Sequence, residues 1–372
     1  MKYYIIAGER SGDLHGSNLI KELRKKDPEA EISGWGGDMM QAAGMDLVRH
    51  YQDMAFMGFA EVIKNLRKIF GYLKEAKADI ANYKPDVVIL VDYAGFNMRI
   101  ARFAKKRGLK VFYYISPKIW AWNQGRAHKI KKVVDRMFVI MPFEKDFYKR
   151  FDYEVDYIGN PVSDSVTDHV ANPDFRAKNK LYNTKPIVAI LPGSRAQEIE
   201  NMLDVMLSVL PSFRDYQFIV AGVSTFGKEY YEQYNKDKNI KIVYDQTYDL
   251  LSHSVAALVT SGTATLETAL FNVPQVVCYK TSKISYTIGK WVIKVPYISL
   301  VNLIAGKQVV TELIQDDFTG KQVTAELKSI LFDKAFIKKQ KDGYALVREK
   351  IGEYRTAERA AELMVAYLKG RG

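Results

Sequence analysis

Two kinds of turn in this 372-residue sequence carry groups that can do chemistry. The first kind is acidic. Asp92 follows directly on the apolar run Val87 to Val91, at the carboxyl end of an expected strand, where open parallel sheets put their ligand groups. A carboxylate there can take a proton from an attacking hydroxyl; the other reading is an Asp that caps the next helix. Gly8-Glu9-Arg10-Ser11-Gly12-Asp13 lacks the G-x-G-x-x-G spacing of a dinucleotide-binding turn. Its Glu9 and Asp13 would repel a pyrophosphate, so with Ser11 they are expected to line a cleft, hold sugar hydroxyls or orient a base. The second kind of turn suits phosphate. Gly193-Ser194-Arg195 offers backbone N–H groups and a guanidinium between a strand and a helix. Ser261-Gly262-Thr263 repeats that geometry, with Glu267 one turn further on as an acceptor for ribose hydroxyls. Capping by Ser261 and Thr263 is the plainer reading of that segment. Two such turns, with Arg195, point to a nucleoside diphosphate.

Other chemistries find little support. No two Asp residues are separated by a single residue, so the D-x-D metal motif of many sugar-nucleotide transferases is absent, and His15, His50, His128, His169 and His253 show no H-x-x-x-H spacing. His15 reads as a residue of a helix surface. Neither G-x-S-x-G nor a Walker sequence occurs. The lone Cys278 lies in an apolar run and reads as core filler in a reducing compartment. No metal and no cofactor are expected.

These groups need strands to hold them. Tyr3 to Ala7, Val87 to Val91, Val111 to Ile115 and Met137 to Ile140 are short apolar runs alternating with helical patterns, as buried parallel strands should be. The pattern turns polar from Val162 to Lys185, then restarts with Ile187 to Leu191, Gln217 to Ala221, Ile240 to Val243, Ala256 to Thr260 and Gln275 to Cys278. At roughly 100 to 200 residues per domain the length also suggests two. The expected fold is α/β: two Rossmann-like domains, residues 1–165 and 180–340, facing each other across a cleft. Residues 341–372 are expected to form C-terminal helices that pack on their own domain, cross to the first or reach another subunit.

The formal net charge of +12 is unevenly placed. No acid occurs between Arg99 and Val134, a stretch holding Arg102, Lys105, Lys106, Arg107, Lys110, Lys118, Arg126, Lys129, Lys131 and Lys132. None occurs from Thr268 to Thr311, where Lys280, Lys283, Lys290, Lys294 and Lys307 stand among aromatic and aliphatic residues. Such patches attract nucleic acid, anionic head groups or phosphorylated substrates. Phe59, Val62, Ile63, Leu66, Ile69, Phe70 and Leu73 follow helical spacing with Lys64, Arg67, Lys68 and Lys74 between them, and Met54, Phe56 and Met57 lead in. Such a stripe is either core or an acyl-binding or membrane face. No apolar run approaches the roughly 20 residues of a spanning helix, so membrane contact is expected to be peripheral. Met1-Lys2 running straight into Tyr-Tyr-Ile-Ile-Ala-Gly is too short for a secretory signal, which predicts a cytoplasmic protein. Without a nucleic-acid-binding motif, and with acidic Glu9 and Asp13 in the first turn, a nucleic-acid partner is not expected.

Gly8-Glu9-Arg10-Ser11-Gly12-Asp13, Ser116-Pro117-Lys118-Ile119-Trp120-Ala121-Trp122, Pro142-Phe143-Glu144, Leu191-Pro192-Gly193-Ser194-Arg195, Ser261-Gly262-Thr263-Ala264 and Asn302-Leu303 together resemble the lipid-A-disaccharide synthase family, in its order and over nearly the whole chain. The resemblance implies an inverting, metal-independent glycosyltransferase of the two-Rossmann GT-B type. Its substrates would be UDP-2,3-diacylglucosamine and 2,3-diacylglucosamine 1-phosphate, and its products the β-1,6 lipid A disaccharide 1-phosphate and UDP. It further implies Asp92 as the base, Glu9 and Arg195 in the cleft, Asn302 near the nucleotide, peripheral association with the cytoplasmic face of the anionic inner membrane, and a homodimer that could exchange C-terminal segments. Arg10 departs from the Thr more often found there. The alternatives are another GT-B enzyme with a soluble acceptor, or a UDP-sugar 2-epimerase.

Overall fold

The computed structural model describes residues 1–54, 66–235, 240–282, 286–287, 289 and 294–370. Within the described residues the chain divides into two units, Met1–Pro161 with Glu353–Gly372, and Val162–Gly352. Each is a parallel sheet flanked by helices.

The first sheet contains β1 (Lys2–Ala7), β2 (Glu31–Gly36), β3 (Asp46–His50), β4 (Val87–Val91), β5 (Lys110–Tyr114), β6 (Arg136–Val139) and β7 (Asp156–Tyr157), in the order β3-β2-β1-β4-β5-β6-β7. Its inner strands read as continuous apolar runs because both faces are covered by helices. β2 breaks that rule, with two glycines and a serine in EISGWG. Gly34 is why: a Cβ there would lie 1.9 Å from the Ile5 carbonyl oxygen of the neighbouring strand. β3 is a half-buried edge strand and β7 has two residues.

The second sheet contains β8 (Ile187–Leu191), β9 (Gln217–Gly222), β10 (Lys241–Tyr244), β11 (Ser254–Thr260), β12 (Gln275–Tyr279) and β13 (Thr311–Ile314), in the order β10-β9-β8-β11-β12-β13. Cys278 is buried in its core, and burial pushes its thiol far up. The polar stretch expected as a linker carries two short helices, Pro161–Asp168 and Phe175–Lys178.

The two sheets share one topological feature that positions chemistry. In each, the chain winds outward from a central strand in one direction and then restarts beside it in the other, at β1/β4 in the first unit and β8/β11 in the second. Helices from the two halves lie on opposite faces there, leaving a crevice beyond the strand ends where open α/β sheets bind ligands. Ala7 pairs with Val91, and Leu191 with Val259. All four candidate turns therefore follow strands at a switch point.

The C-terminal segment splits at Gly352. Helix Lys334–Ile351 belongs to the second unit, whereas helix Thr356–Leu368 inserts Ala360, Ala361, Met364 and Val365 into the core of the first, against helix Arg10–Lys26. Tyr367 Oη donates to Asp156 at 2.8 Å and Arg359 Nε to the Tyr157 carbonyl at 3.1 Å, which ties the last helix to the β7 edge.

Candidate active site

At the first switch point Asp92 and Tyr93 both adopt left-handed backbone conformations, with φ of 43° and 46°. Each such non-glycine residue costs about 1 to 3 kcal/mol and persists only when its surroundings over-determine it. Here they do. Asp92 N–H donates to the Tyr114 carbonyl at 3.2 Å, and Asn97 Nδ2 donates to the carbonyls of Val91 and Asp92 at 3.1 and 2.9 Å. The buried Tyr113 hydroxyl donates to the Asp92 carbonyl as well. All of these bonds go to backbone, so the carboxylate is not the group that holds the turn. Burial raises its pKa above the ordinary Asp value, opposed by the Lys118 ammonium and the Tyr93 N–H. A half-buried carboxylate of raised basicity at a strand end is suited to accept a proton.

The neighbouring turn closes against it. Gly8 has no side chain because the Tyr93 ring lies there: a Cβ would come within 2.3 Å of the ring. Glu9 is exposed at the N-cap of helix Arg10–Lys26 in an extended conformation, and its charge acts on the Tyr93 hydroxyl. Ser11 is exposed in the first turn of the same helix. Asp13 is a correction to the expectation of a cleft residue. It is 2 % exposed and turned into the domain, where its carboxylate accepts from the N–H groups of Gly37, Met39 and Met40 at 2.9, 3.2 and 3.0 Å. It neutralises the start of helix Asp38–Ala42. His15 is more enclosed than a surface position, and burial lowers its pKa.

Three residues in this unit acquire a role that their types alone do not reveal. Lys118 is the cation acting on Asp92, and its segment is anchored from below by Ser116, whose hydroxyl donates to Glu144. Glu144 is fully enclosed, accepts also from Met141 N–H at 2.9 Å and Ile140 N–H at 3.2 Å, and is pushed up by burial to about 7. The motifs Ser116–Trp122 and Pro142–Glu144 were visible in sequence; that one anchors the other was not.

In the second unit Gly193 has φ of 112°, and a Cβ there would meet Glu198 Oε2 at 2.5 Å. Glu198 takes the hydrogen bonds that the sequence assigns to a phosphate: Ser194 N–H at 2.9 Å, Arg195 N–H at 3.3 Å and Arg195 Nη1 at 2.8 Å. An anion binding at these amides must displace it. The Arg195 side chain is itself 81 % exposed, so its pairing with Glu198 is weak and exchangeable.

The other turn is open. Helix Thr263–Leu270 starts after Gly262 with no side-chain cap among the described residues, and nothing lies within 4 Å of a Cβ placed on Gly262. Ser261 does not cap it; its hydroxyl donates to the Ile298 carbonyl at 2.9 Å. Among the described residues no side chain takes the N–H groups at the start of this helix, and the position beside Gly262 is open, the arrangement that accepts a phosphate. Glu267, one turn on, accepts from Tyr248 Oη at 3.0 Å, and burial raises its pKa. With His169, Asp245, Gln246, Thr247, Tyr248 and Asp249 it lines a recess of about 390 Å³, whose carboxylates suit hydroxyl donors such as a ribose.

Asn302 has no hydrogen-bonding capacity left for a nucleotide. It is fully buried; Nδ2 donates to the Val310 carbonyl at 3.0 Å and Glu312 Oε1 at 2.8 Å, and Oδ1 accepts from Val309 and Val310 N–H at 2.7 and 3.0 Å. Glu312 in turn accepts from Ile298 N–H and Ser299 N–H, both at 3.0 Å. The network runs from Asn302 through Glu312 to the Ile298 segment that Ser261 grips, so Asn302 is a positioning residue behind the open turn.

The profile of the family described as lipid-A-disaccharide synthetase matches residues 3–366. The chain belongs to this family. It is 39 % identical over 370 residues to the lipid-A-disaccharide synthase of Geobacter metallireducens, covering 98 % of this chain and 96 % of the relative, and 39 % identical over 376 residues to that of Syntrophus aciditrophicus, covering 98 % and 97 %. Solved structures similar in fold include the UDP-GlcNAc 2-epimerase of Neisseria meningitidis bound to UDP-GlcNAc, with a TM-score of 0.65 at 14 % identity and complete coverage of both chains. Another is the kitacinnamycin glycosyltransferase, with a TM-score of 0.67 at 13 % identity and 99 % coverage of both. These establish two Rossmann-like domains of the GT-B type and nothing finer. Family membership over nearly the whole chain makes the protein a glycosyltransferase of lipid A disaccharide synthesis and disfavours the epimerase and soluble-acceptor alternatives.

Proposed function

We propose that the first domain binds 2,3-diacylglucosamine 1-phosphate as acceptor, that the second binds UDP-2,3-diacylglucosamine as donor, and that Asp92 is the general base. Asp92 takes the proton of the acceptor 6-hydroxyl as its oxygen attacks the anomeric carbon from the face opposite UDP. A new C–O bond forms, the bond to the diphosphate breaks, and the β-1,6 disaccharide 1-phosphate and UDP leave. The observation that carries this reading is Asp92 itself, held by backbone bonds in a strained turn at the switch point with its basicity raised by burial. Glu9 is the second carboxylate, placed to hold an acceptor hydroxyl. Diphosphate charge is met by the N–H groups after Gly262 and by Arg195 once Glu198 gives way.

UDP release should require both lipids and should survive excess EDTA, because the sequence has no D-x-D motif and positive groups remain to receive the leaving charge. Loss of activity in EDTA with rescue by Mg²⁺ or Mn²⁺ would refute this scheme.

Peripheral association with the anionic cytoplasmic face of the inner membrane is part of the proposal. No helix among the described residues is long and apolar enough to cross a membrane. Phe56, Met57, Phe59, Val62, Ile63 and Lys64 lie outside the described residues, as do Lys283 and Lys290. Of the rest of that stripe, Leu73 is core while Phe70 is 61 % exposed on helix Leu66–Tyr83. Phe70→Ser should therefore leave the melting temperature nearly unchanged and weaken binding to phosphatidylglycerol vesicles, and 0.5 M salt should weaken it further by screening the basic stretch. A large fall in melting temperature would return Phe70 to the core. The family resemblance also implies a homodimer; within one chain the last helix packs on its own first unit.

A further inference from the structure

A pocket of about 250 Å³ in the first unit begins two residues after Asp92 and is lined by neither Asp92 nor Glu9. One wall is helix Ala94–Lys106, where Arg102 lies four residues after Met98 and three after Arg99, so that the three line one side of it. The segment from Arg126 to Ile130 forms another wall and adds Arg126 and Lys129, with Ile130 beneath. The pocket thus gathers four cations and no carboxylate.

None of the four forms an ion pair among the described residues. Arg99 donates within its own helix to the Gly95 carbonyl at 3.0 Å, and Arg126 lies over the Trp122 ring at 4.8 Å. Elsewhere on the same helix Lys105 does pair, with Asp135, so among the described residues it is this face that lacks acidic partners. Like charges gathered in a concave wall raise the local potential and favour an anion, and guanidinium groups match the oxygens of a phosphate two at a time. The segment Pro117–Ile119 closes the pocket on the side of Asp92: Pro117 and Ile119 line it, while Lys118 between them is the cation acting on Asp92. Pocket and base share a wall.

We propose that this pocket takes a phosphate monoester, the anomeric phosphate of the acceptor, and thereby decides which end of the acceptor sugar is presented to Asp92. The assignment rests on Asp92 being the base. In a pyranose C6 is carried by C5, which is joined through the ring oxygen to C1, so a sugar gripped by its 1-phosphate keeps its 6-hydroxyl close to the wall that the pocket shares with Asp92. The pocket is then a specificity element: it rejects an acceptor that lacks the phosphate.

The test compares 2,3-diacylglucosamine 1-phosphate with 2,3-diacylglucosamine as acceptors, both in neutral detergent micelles so that membrane charge does not enter, for the wild-type protein and for Arg102→Gln combined with Arg126→Gln. A charge-assisted hydrogen bond contributes about 1.5 to 3 kcal/mol and 1.4 kcal/mol is a factor of ten. The variant should therefore lose roughly 10²-fold or more in kcat/KM on the phosphorylated acceptor, chiefly through KM. Donor KM and turnover of the unphosphorylated acceptor should stay within about twofold on the same scale, and the melting temperature should be unchanged. Lys129→Gln, which removes one charge, should give a smaller loss of the same kind. Equal losses on both acceptors, no loss, or a defect confined to binding of anionic vesicles would overturn the assignment, the last by pointing to lipid head groups. Wild-type turnover with no preference for the phosphate would remove the pocket's role alone; no product from either acceptor would remove the transferase reading on which it rests.

Discussion

Asp92→Asn should keep the fold and bind UDP normally while turnover falls by roughly 10²- to 10⁴-fold, the usual worth of a positioned general base. The substitution isolates the carboxylate because Asn tolerates the left-handed conformation of residue 92 better than most residues, and because the bonds that fix the turn go to backbone atoms that it retains. Two side effects have a definite sign. Burial raises the Asp92 pKa, so the wild-type rate should fall on acidification at a higher pH than an ordinary Asp would give, and the residual rate of the variant should lack that limb. A carboxyl whose folded pKa is raised contributes stability below its unfolded pKa that is lost as pH rises through the folded one, so above neutrality the variant should melt no lower than the wild type. Near-normal turnover would make Asp92 a turn former and move the base to Glu9.

The second large effect concerns stability. Asn302→Ala leaves the buried N–H groups of Val309 and Val310 without their acceptor and the Val310 carbonyl without the Asn302 donor, and removes one of the donors to Glu312. Each unsatisfied buried group costs about 1 to 3 kcal/mol, so a loss of at least 3 kcal/mol and a fall in melting temperature on the order of 10 °C are expected. Because the network reaches Ser261 through Glu312 and the Ile298 segment, donor KM should rise with it. A thermal melt beside donor kinetics separates the two accounts: an unchanged melt with lost nucleotide binding would mean that Asn302 touches the ligand directly.

Legibility in the sequence followed the range of the interactions. β1, β4 and β8 could be read because burial on both faces leaves a local apolar run, and the switch-point turns follow those runs immediately. β2 could not, since its place depends on Gly34 passing close to Ile5, a fact about a neighbouring strand. Asp13 and Asn302 were recognisable as polar residues in suggestive motifs, yet their partners, Gly37 to Met40 and Val309 to Glu312, lie on other elements and turn both into scaffold. Glu198 shows the same limit at short range: it stands three residues beyond Arg195, and only the backbone path of Gly193 brings its carboxylate onto the N–H groups of the turn. The strain at Asp92 and Tyr93, the strongest sign that this turn does chemistry, has no counterpart in residue type at all.

The most direct test of the proposed reaction is product analysis with purified protein, UDP-2,3-diacylglucosamine and 2,3-diacylglucosamine 1-phosphate. Proton NMR of the lipid product should show one new β-1,6 glycosidic linkage with the 1-phosphate retained, formed in equal amount with UDP. A product with an α linkage, a UDP-sugar returned with its configuration changed at carbon 2, or UDP released without any disaccharide would contradict inverting transfer with Asp92 as the base.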